Sequence, residues 1–367
     1  MVRLGSKLSF REAAEEVWYM HRTEIPEATL RQTTHKHGLV VEEITQEETE
    51  RLERTAPKSD AKPENLLLST DGAFIRTTTE EWVEVKTTAI GEFVLGKGEN
   101  RPRTSQISYF SRQYEARKFE KHALGELHRR GIDNAKLVVS VNDGASWIQS
   151  FLEYHCPEAV RINDFAHSAS YLAQAGKAVY GEGDTFKQWF QTARRNLKNK
   201  PPRETVGALN LLKPKAKDSA ASQDIDVALY YLQTRESLID YAHFQKQGYP
   251  IGSGMVESAH KVVVQKRMKG AGMRWAEGNI NGMLALRNLV CNSRWEEGWT
   301  TIVNRPQSRR QRCSDETPPP RVEKLTFKSV EVAEEACEDV PMESKDSREN
   351  HPWRQGKWPT YEMKWLN

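Results

Sequence analysis

Two apolar runs that each stop at an Asp-Gly-Ala triplet constrain this chain more than any other feature: "LLLSTDGA" at 66–73 and "LVVSVNDGA" at 137–145. Short runs of this kind, bounded by glycine, suit buried strands. In open α/β sheets the carboxyl edge of the strands is where ligands bind. If the two strands are neighbours, Asp71 and Asp143 meet at that edge, with a glycine beside each permitting close approach of backbone or ligand. An Asp-Gly pair after a strand is also a plain turn signal, and for either triplet alone that reading stands open.

The segments around the two runs define an α/β layout. "EWVEVKTTAIGEFV" (81–94) and "ISYFS" (107–111) suit strands, and "YEARKFEKHALGELHRRGI" (114–132) is an amphipathic helix with Phe119, Leu124 and Leu127 on one face. "ASWIQSFLEYH" is helical, and "AVRIND" is a short strand that ends at Asp164. The order is strand, strand, strand, helix, strand, helix, strand over residues 65–165. Residues 166–247 turn helical and basic, with "KQWFQTARRNLKNKPPR" and "LLKPKAK", and form an insertion. The α/β domain resumes over 248–303, and 304–367 is a charged tail with a basic "RPQSRRQR" and an acidic stretch at 331–349.

At the other end, "KLSFREAAEEVWYMHR" has apolar residues at helical spacing behind Ser9, and "IPEATLRQTTHKHG" has Pro26 in a first turn and Gly38 at a C-cap position. Residues 1–41 therefore form either a plain helical hairpin or a helix-turn-helix. In the second case Thr29, Arg31, Gln32, His35 and Lys36 would face a DNA groove. Residues 42–64, rich in Glu, Arg, Lys and Pro, suit a solvated linker.

Lys and Arg number 54 against 51 Asp and Glu, so the net charge of +3 proves no nucleic-acid partner. The four cysteines form no CxxC or zinc-finger spacing, which predicts a reducing compartment and no structural metal. With no signal-peptide pattern and no long apolar run, the expected setting is cytoplasmic, without membrane association.

Two adjacent carboxylates repel, and hard divalent ions offset that repulsion. A pair of Mg²⁺ or Mn²⁺ ions would serve phosphodiester chemistry, for which a third ligand is needed. "GSGMVESAHK" supplies Glu257, just inside a helix that follows a Gly-Ser-Gly turn. Glu at such a position is also favoured by the helix dipole, and Glu257 with Lys261 makes an ordinary i, i+4 pair. Lys266, Arg267, Lys269, Arg274 and Trp275 then interleave cations with glycine and an aromatic, a pattern that suits either a nucleic-acid surface or a solvated face.

Together, "STDGA", "VNDGA", "DFAH" with Asp164 and His167, and "YPIGSGMVESAHK" through "RMKGAGMRW" resemble the DDE transposases of bacterial insertion sequences, specifically the ISKra group. The likeness runs from about residue 5 to 300, with a faint echo in "HPWR" at 351–354; the Gly-Ser-Gly-x-x-Glu block is its most specific piece. The resemblance implies a ribonuclease H-like mixed sheet with a helical insertion, preceded by a helix-turn-helix module. It implies a metal-holding triad of Asp71, Asp143 and Glu257, with Asp164 and His167 as auxiliary residues. It makes Arg31, Gln32, Lys36, Lys266, Arg267, Lys269, Arg274 and Trp275 contacts to double-stranded DNA, and the acting form a homodimer or higher oligomer on transposon ends in the nucleoid. The implied activity is cleavage at terminal inverted repeats with two Mg²⁺ or Mn²⁺ ions, followed by strand transfer to target DNA. The alternatives are a ribonuclease H-like nuclease without strand transfer and a catalytically silent DNA-binding descendant. Relatives carry more sequence before the paired helices, so a shortened reading frame is a further expectation, and the acidic stretch departs from a plain DNA-binding tail.

Overall fold

The computed structural model describes residues 1–98 and 101–305. Its centre is a mixed five-stranded sheet in the order β3-β2-β1-β4-β5. Strands β1 (Asn65–Arg76), β2 (Trp82–Val94) and β3 (Arg103–Arg112) form an antiparallel meander, while β4 (Leu137–Asn142) and β5 (Val160–Asn163) add in parallel beside β1. Parallel neighbours need crossovers. Helix α4 (Ala116–Arg129) leads into β4, and α5 (Ser146–His155) connects β4 to β5.

The central strands are covered on both faces, which explains why they read as continuous apolar runs. On one face Leu67, Val139, Val141 and Ile162 join a core with the insertion helices; on the other Leu66, Leu68 and Ile90 pack with Phe119, Ile148 and Phe151 of α4 and α5. The insertion comprises α6 (Phe165–Tyr180), α7 (Asp184–Asn199), α8 (Pro202–Asn210), α9 (Ser219–Gln233) and α10 (Tyr241–Lys246). Helix α11 (Gly254–Ala259) then continues through a π-helical stretch, His260–Gln265, into α12 (Lys266–Met268), followed by α13 (Glu277–Cys291) and α14 (Trp295–Val303). No helix among the described residues is long and apolar enough to cross a membrane.

The amino-terminal expectation is corrected in two respects. After α1 (Val2–Gly5), α2 (Phe10–His21) starts at a reciprocal Ser9–Glu12 capping box and ends at Arg22. Helix α3, however, runs unbroken from Glu27 to Thr55, so Gly38 is no C-cap and most of 42–64 is helix rather than linker. Gly38 instead meets Gly282 of α13: a Cβ at Gly38 would lie 2.7 Å from the Gly282 carbonyl oxygen. Buried Arg112 of β3 fastens α3 further, through Glu42 at 2.5 Å and Asn288 of α13 at 2.8 Å. The first helices thus share the sheet's packing rather than forming a separate module. In the tail only Asn304 and Arg305 are described; the basic run beyond Arg305, the acidic stretch and "HPWR" lie outside the described residues.

Candidate active site

The β1–β4 ladder pairs Leu68 with Ser140, and three residues further along each parallel strand stand Asp71 and Asp143. Beyond the last ladder pair the Asn142 carboxamide takes over, accepting the Thr70 N–H at 2.6 Å. Asp71 on β1 and Asp143 just past the end of β4 therefore stand at matching positions along two neighbouring parallel strands. Asp143 follows the end of β4, and its Oδ1 accepts the Ala145 N–H at 3.0 Å. Gly144 has φ 84°, and a Cβ there would come within 2.6 Å of Asn163 Oδ1 and 2.9 Å of Arg235 Nε. Glycine is required at that exit both by conformation and by space.

Asp71 differs from its expected place. β1 does not end there but continues to Arg76, paired with β2 throughout. Gly72 makes no turn; it leaves space for a side chain from β2, since a Cβ would lie 2.1 Å from Glu84 Oε1. Glu84 is bound to buried Lys86 at 2.6 Å, and the Lys86 ammonium lies 5.4 Å from the Trp147 ring centroid. By the strand pleat, Glu84 and Lys86 occupy the face opposite Asp71. They form a charged layer behind the edge that sequence spacing gave no reason to connect with Asp71.

Glu257 is exposed on α11, while its neighbours Met255 and Val256 are buried in the core shared with β4 and β5. The loop before α11 is held by Asp164. This buried carboxylate caps α6 through the His167 N–H at 2.6 Å and accepts the Ser253 N–H at 2.7 Å. Asp164 thereby ties the end of β5 to the turn that launches the Glu257 helix, and its acceptor oxygens are used in doing so. The His167 ring lies edge-on to Tyr171 and Tyr231. Burial lowers its pKa, against the raising influence of the Asp143 and Asp164 carboxylates. Tyr231 donates to the Asp143 carbonyl at 2.8 Å, and Arg235 donates to the Gly144 carbonyl at 3.3 Å.

Burial, then repulsion from Asp143, and further from Glu84 and Glu257, push the Asp71 carboxyl up to about 7, against a lowering hydrogen bond from the Gly72 N–H. Three carboxylates from distant parts of the chain thus act electrostatically on a fourth. His260, one turn beyond Glu257, was not foreseen from sequence. Its Nδ1 lies 3.7 Å from Asp71 Oδ2, burial pushes its pKa down to about 4, and its buried Nε2 has no hydrogen-bond partner among the described residues. The only signal in sequence was its i, i+3 spacing from Glu257, which puts both on the same side of the helix.

Among the described residues no three His, Cys, Asp or Glu side chains are gathered tightly enough to hold an ion as they stand. The donor chemistry nevertheless suits a hard cation: carboxylate oxygens crowded enough to raise the proton affinity of Asp71, at a strand edge with exposed Glu257 alongside.

The expected DNA contacts divide. Arg31, Gln32 and Lys36 are exposed on α3, with Thr29 beside them, whereas His35 turns inward against Phe10 and Trp275. Lys266, Lys269 and Arg274 are exposed, Arg274 in an ion pair with Glu80. Arg267 and Trp275 are buried, which corrects their expected role. The Arg267 guanidinium donates to the Gly5 carbonyl at 2.9 Å and lies 4.6 Å from the Phe10 ring centroid and 5.0 Å from that of Trp275; Trp275 donates to the Met268 carbonyl at 3.1 Å. The helix C-terminus of α1 and the π-helical stretch leave carbonyls that need donors. Arg267 and Arg287 supply them, Arg287 bonding Ser6, Val262 and Val263.

Compared with known proteins, the sequence matches no family model and no curated protein.

Proposed function

We propose that the chain is a DDE transposase with a ribonuclease H-like core, acting on the ends of its own insertion sequence by metal-dependent cleavage and strand transfer. The observation that carries this reading is the matching placement of Asp71 on β1 and Asp143 just past its parallel neighbour β4, with Glu257 among the carboxylates that raise the Asp71 pKa to about 7. The strand order β3-β2-β1-β4-β5, with an antiparallel meander followed by two parallel strands, supports the same fold.

Asp71, Asp143 and Glu257 would hold Mg²⁺ or Mn²⁺, which when bound neutralises the carboxylates and polarises the scissile phosphodiester toward an attacking oxygen. The chain's own residues prepare that edge. Asp164 sets the start of the Glu257 helix, Tyr231 and Arg235 fix the backbone at Asp143 and Gly144, and His260 lies beside Asp71 as a neutral imidazole. The exposed residues Arg31, Gln32 and Lys36 of α3, and Lys266, Lys269 and Arg274 near the Glu257 helix, are the DNA contacts retained in this reading.

Replacing Glu257 or Asp143 by the isosteric amide is expected to lower Mg²⁺- or Mn²⁺-dependent nicking of duplexes carrying the element's ends at least 10³-fold, with end binding within about threefold of wild type. Joining of labelled ends to a plasmid separates a transposase from a nuclease that only cuts. Nicking unchanged by both substitutions, or absent from the wild type, removes the reading.

A further inference from the structure

The net charge of +3 conceals a strongly uneven distribution. Residues 187–217 contain nine Lys or Arg and a single acidic residue, Glu204, a formal +8. None of these nine cations is among the residues assigned to the strand edge above.

Their placement follows from α7. At 100° per residue, Phe186, Trp189, Phe190, Ala193 and Leu197 form one apolar side, packed on α6 and the core that also takes Met255 and Val256. Lys187, Arg194, Arg195 and Lys198 fall within a stripe about 100° wide on the other side. Arg194 and Arg195 are exposed, and among the described residues neither they nor Lys198 has a carboxylate partner; Lys187 is paired with Asp184 at 3.0 Å. From Lys187 to Lys198 the stripe spans about 16 Å, close to half of the roughly 34 Å turn of a DNA duplex. At the carboxyl end of α7 lies a cleft of about 590 Å³, lined by Thr192, Arg195, Asn196 and Asn199 of the helix and by Lys200 and Pro201 just after it. Five of those six residues carry hydrogen-bonding side chains; of the two cations, Lys200 is paired with Glu204 at 2.8 Å and Arg195 is not paired with a carboxylate among the described residues.

We propose that this face of the insertion, the α7 stripe with the cleft at its carboxyl end, is a second nucleic-acid surface that holds the phosphate backbone of duplex DNA without reading its sequence. Lys, Arg, Asn and Thr donate to phosphate oxygens, and such contacts fix position rather than specify bases. One residue of the stripe, Arg194, reaches the segment just past the end of β5. The Arg194 guanidinium lies 5.5 Å from the ring centroid of Phe165, the residue that follows Asp164. Arg194 thus stands beside the first residue of α6. The inference rests on the proposed function only for choosing DNA among polyanions.

The test uses the full chain, without divalent ions, on 30-base-pair duplexes of unrelated sequence across a salt series. Arg194→Gln, Arg195→Gln and Lys198→Gln combined should reduce the slope of log affinity against log salt by about 2.7, at about 0.9 per lost phosphate contact. The affinity loss should be the same for every sequence. The charge-conserving variant, Arg194→Lys with Arg195→Lys, should keep the wild-type slope, and circular dichroism of both variants should match the wild type. An unchanged slope in the Gln variant, a loss confined to one sequence, or stronger competition by single-stranded RNA than by duplex DNA would overturn the proposal. Because no cleavage is measured, a failed nicking test leaves this result standing, and a failed slope test leaves the nicking result standing.

Discussion

Gly72 and Gly144 each follow an aspartate, yet they solve different steric problems. Gly144 adopts φ 84°, a backbone conformation that other residues reach only with strain, whereas Gly72 sits within β1 and gives up its side-chain volume to Glu84. The result is a carboxylate at Asp71 whose neighbours raise it to about 7, although 39% of its side-chain surface remains open to water. The ordinary value of 3.8 applies to the unfolded chain. A folded value above it gives stability that is fully present below pH 4 and lost as pH rises through about 7. Asp71→Asn cannot ionise, so in metal-free protein its unfolding free energy should gain on the wild type between pH 5 and pH 8. Solvent screening limits that gain to about 1 kcal/mol. Urea denaturation at the two pH values reads it; a difference independent of pH would show that Asp71 carries no such strain.

At the scale of elements, the α3–α13 crossing depends on two glycines whose backbones touch. Gly38→Ala places a methyl 2.7 Å from the Gly282 carbonyl oxygen, inside van der Waals contact. Alanine ordinarily favours a helix over glycine by up to about 1 kcal/mol, but overpacking of this kind costs about 1–3 kcal/mol. Net destabilisation is expected, read as a lower thermal midpoint, while Ala at exposed Gly278 in the same helix pair should be neutral or stabilising. Both Gly38 and Gly72 show where the sequence misleads. A glycine after a helical or apolar run suggests a cap or a turn, and nothing local distinguishes that from a glycine needed by an element more than ten residues away. By contrast β4, its exit at Asp143 and the helix holding Glu257 were legible, because apolar runs and their boundaries are encoded locally. Arg267 and Trp275 were misplaced for the reverse reason: their spacing matches a nucleic-acid surface, and only the fold reveals the unpaired carbonyls and stacked rings that draw them inside.

For the molecule as a whole, acid should act opposite to the trend at Asp71. Burial holds His155 and His260, along with partly buried His35 and His122, down to about 4. A depressed histidine contributes stability that is present above the unfolded value near 6.5 and is lost as pH falls toward the folded value. Unfolding free energies from urea denaturation should therefore drop by about a few kcal/mol between pH 6.5 and pH 4, leaving the metal-free protein most stable near neutrality. A flat profile over that range would mean the four imidazoles are hydrated. Distance along the chain is a poor guide to what belongs with what here. The carbonyls of Gly5 and Ser6 are capped by cations 262 and 281 residues later, and the second of those cations also braces the widened helical turn beside Glu257. The opening residues are thus a keystone for the far side of the molecule. A fragment starting at β1 would keep all three acids yet remove the Gly5 carbonyl and the Phe10 ring from Arg267 and the Ser6 carbonyl from Arg287, so the strands and the carboxylates do not by themselves carry everything that braces the Glu257 helix.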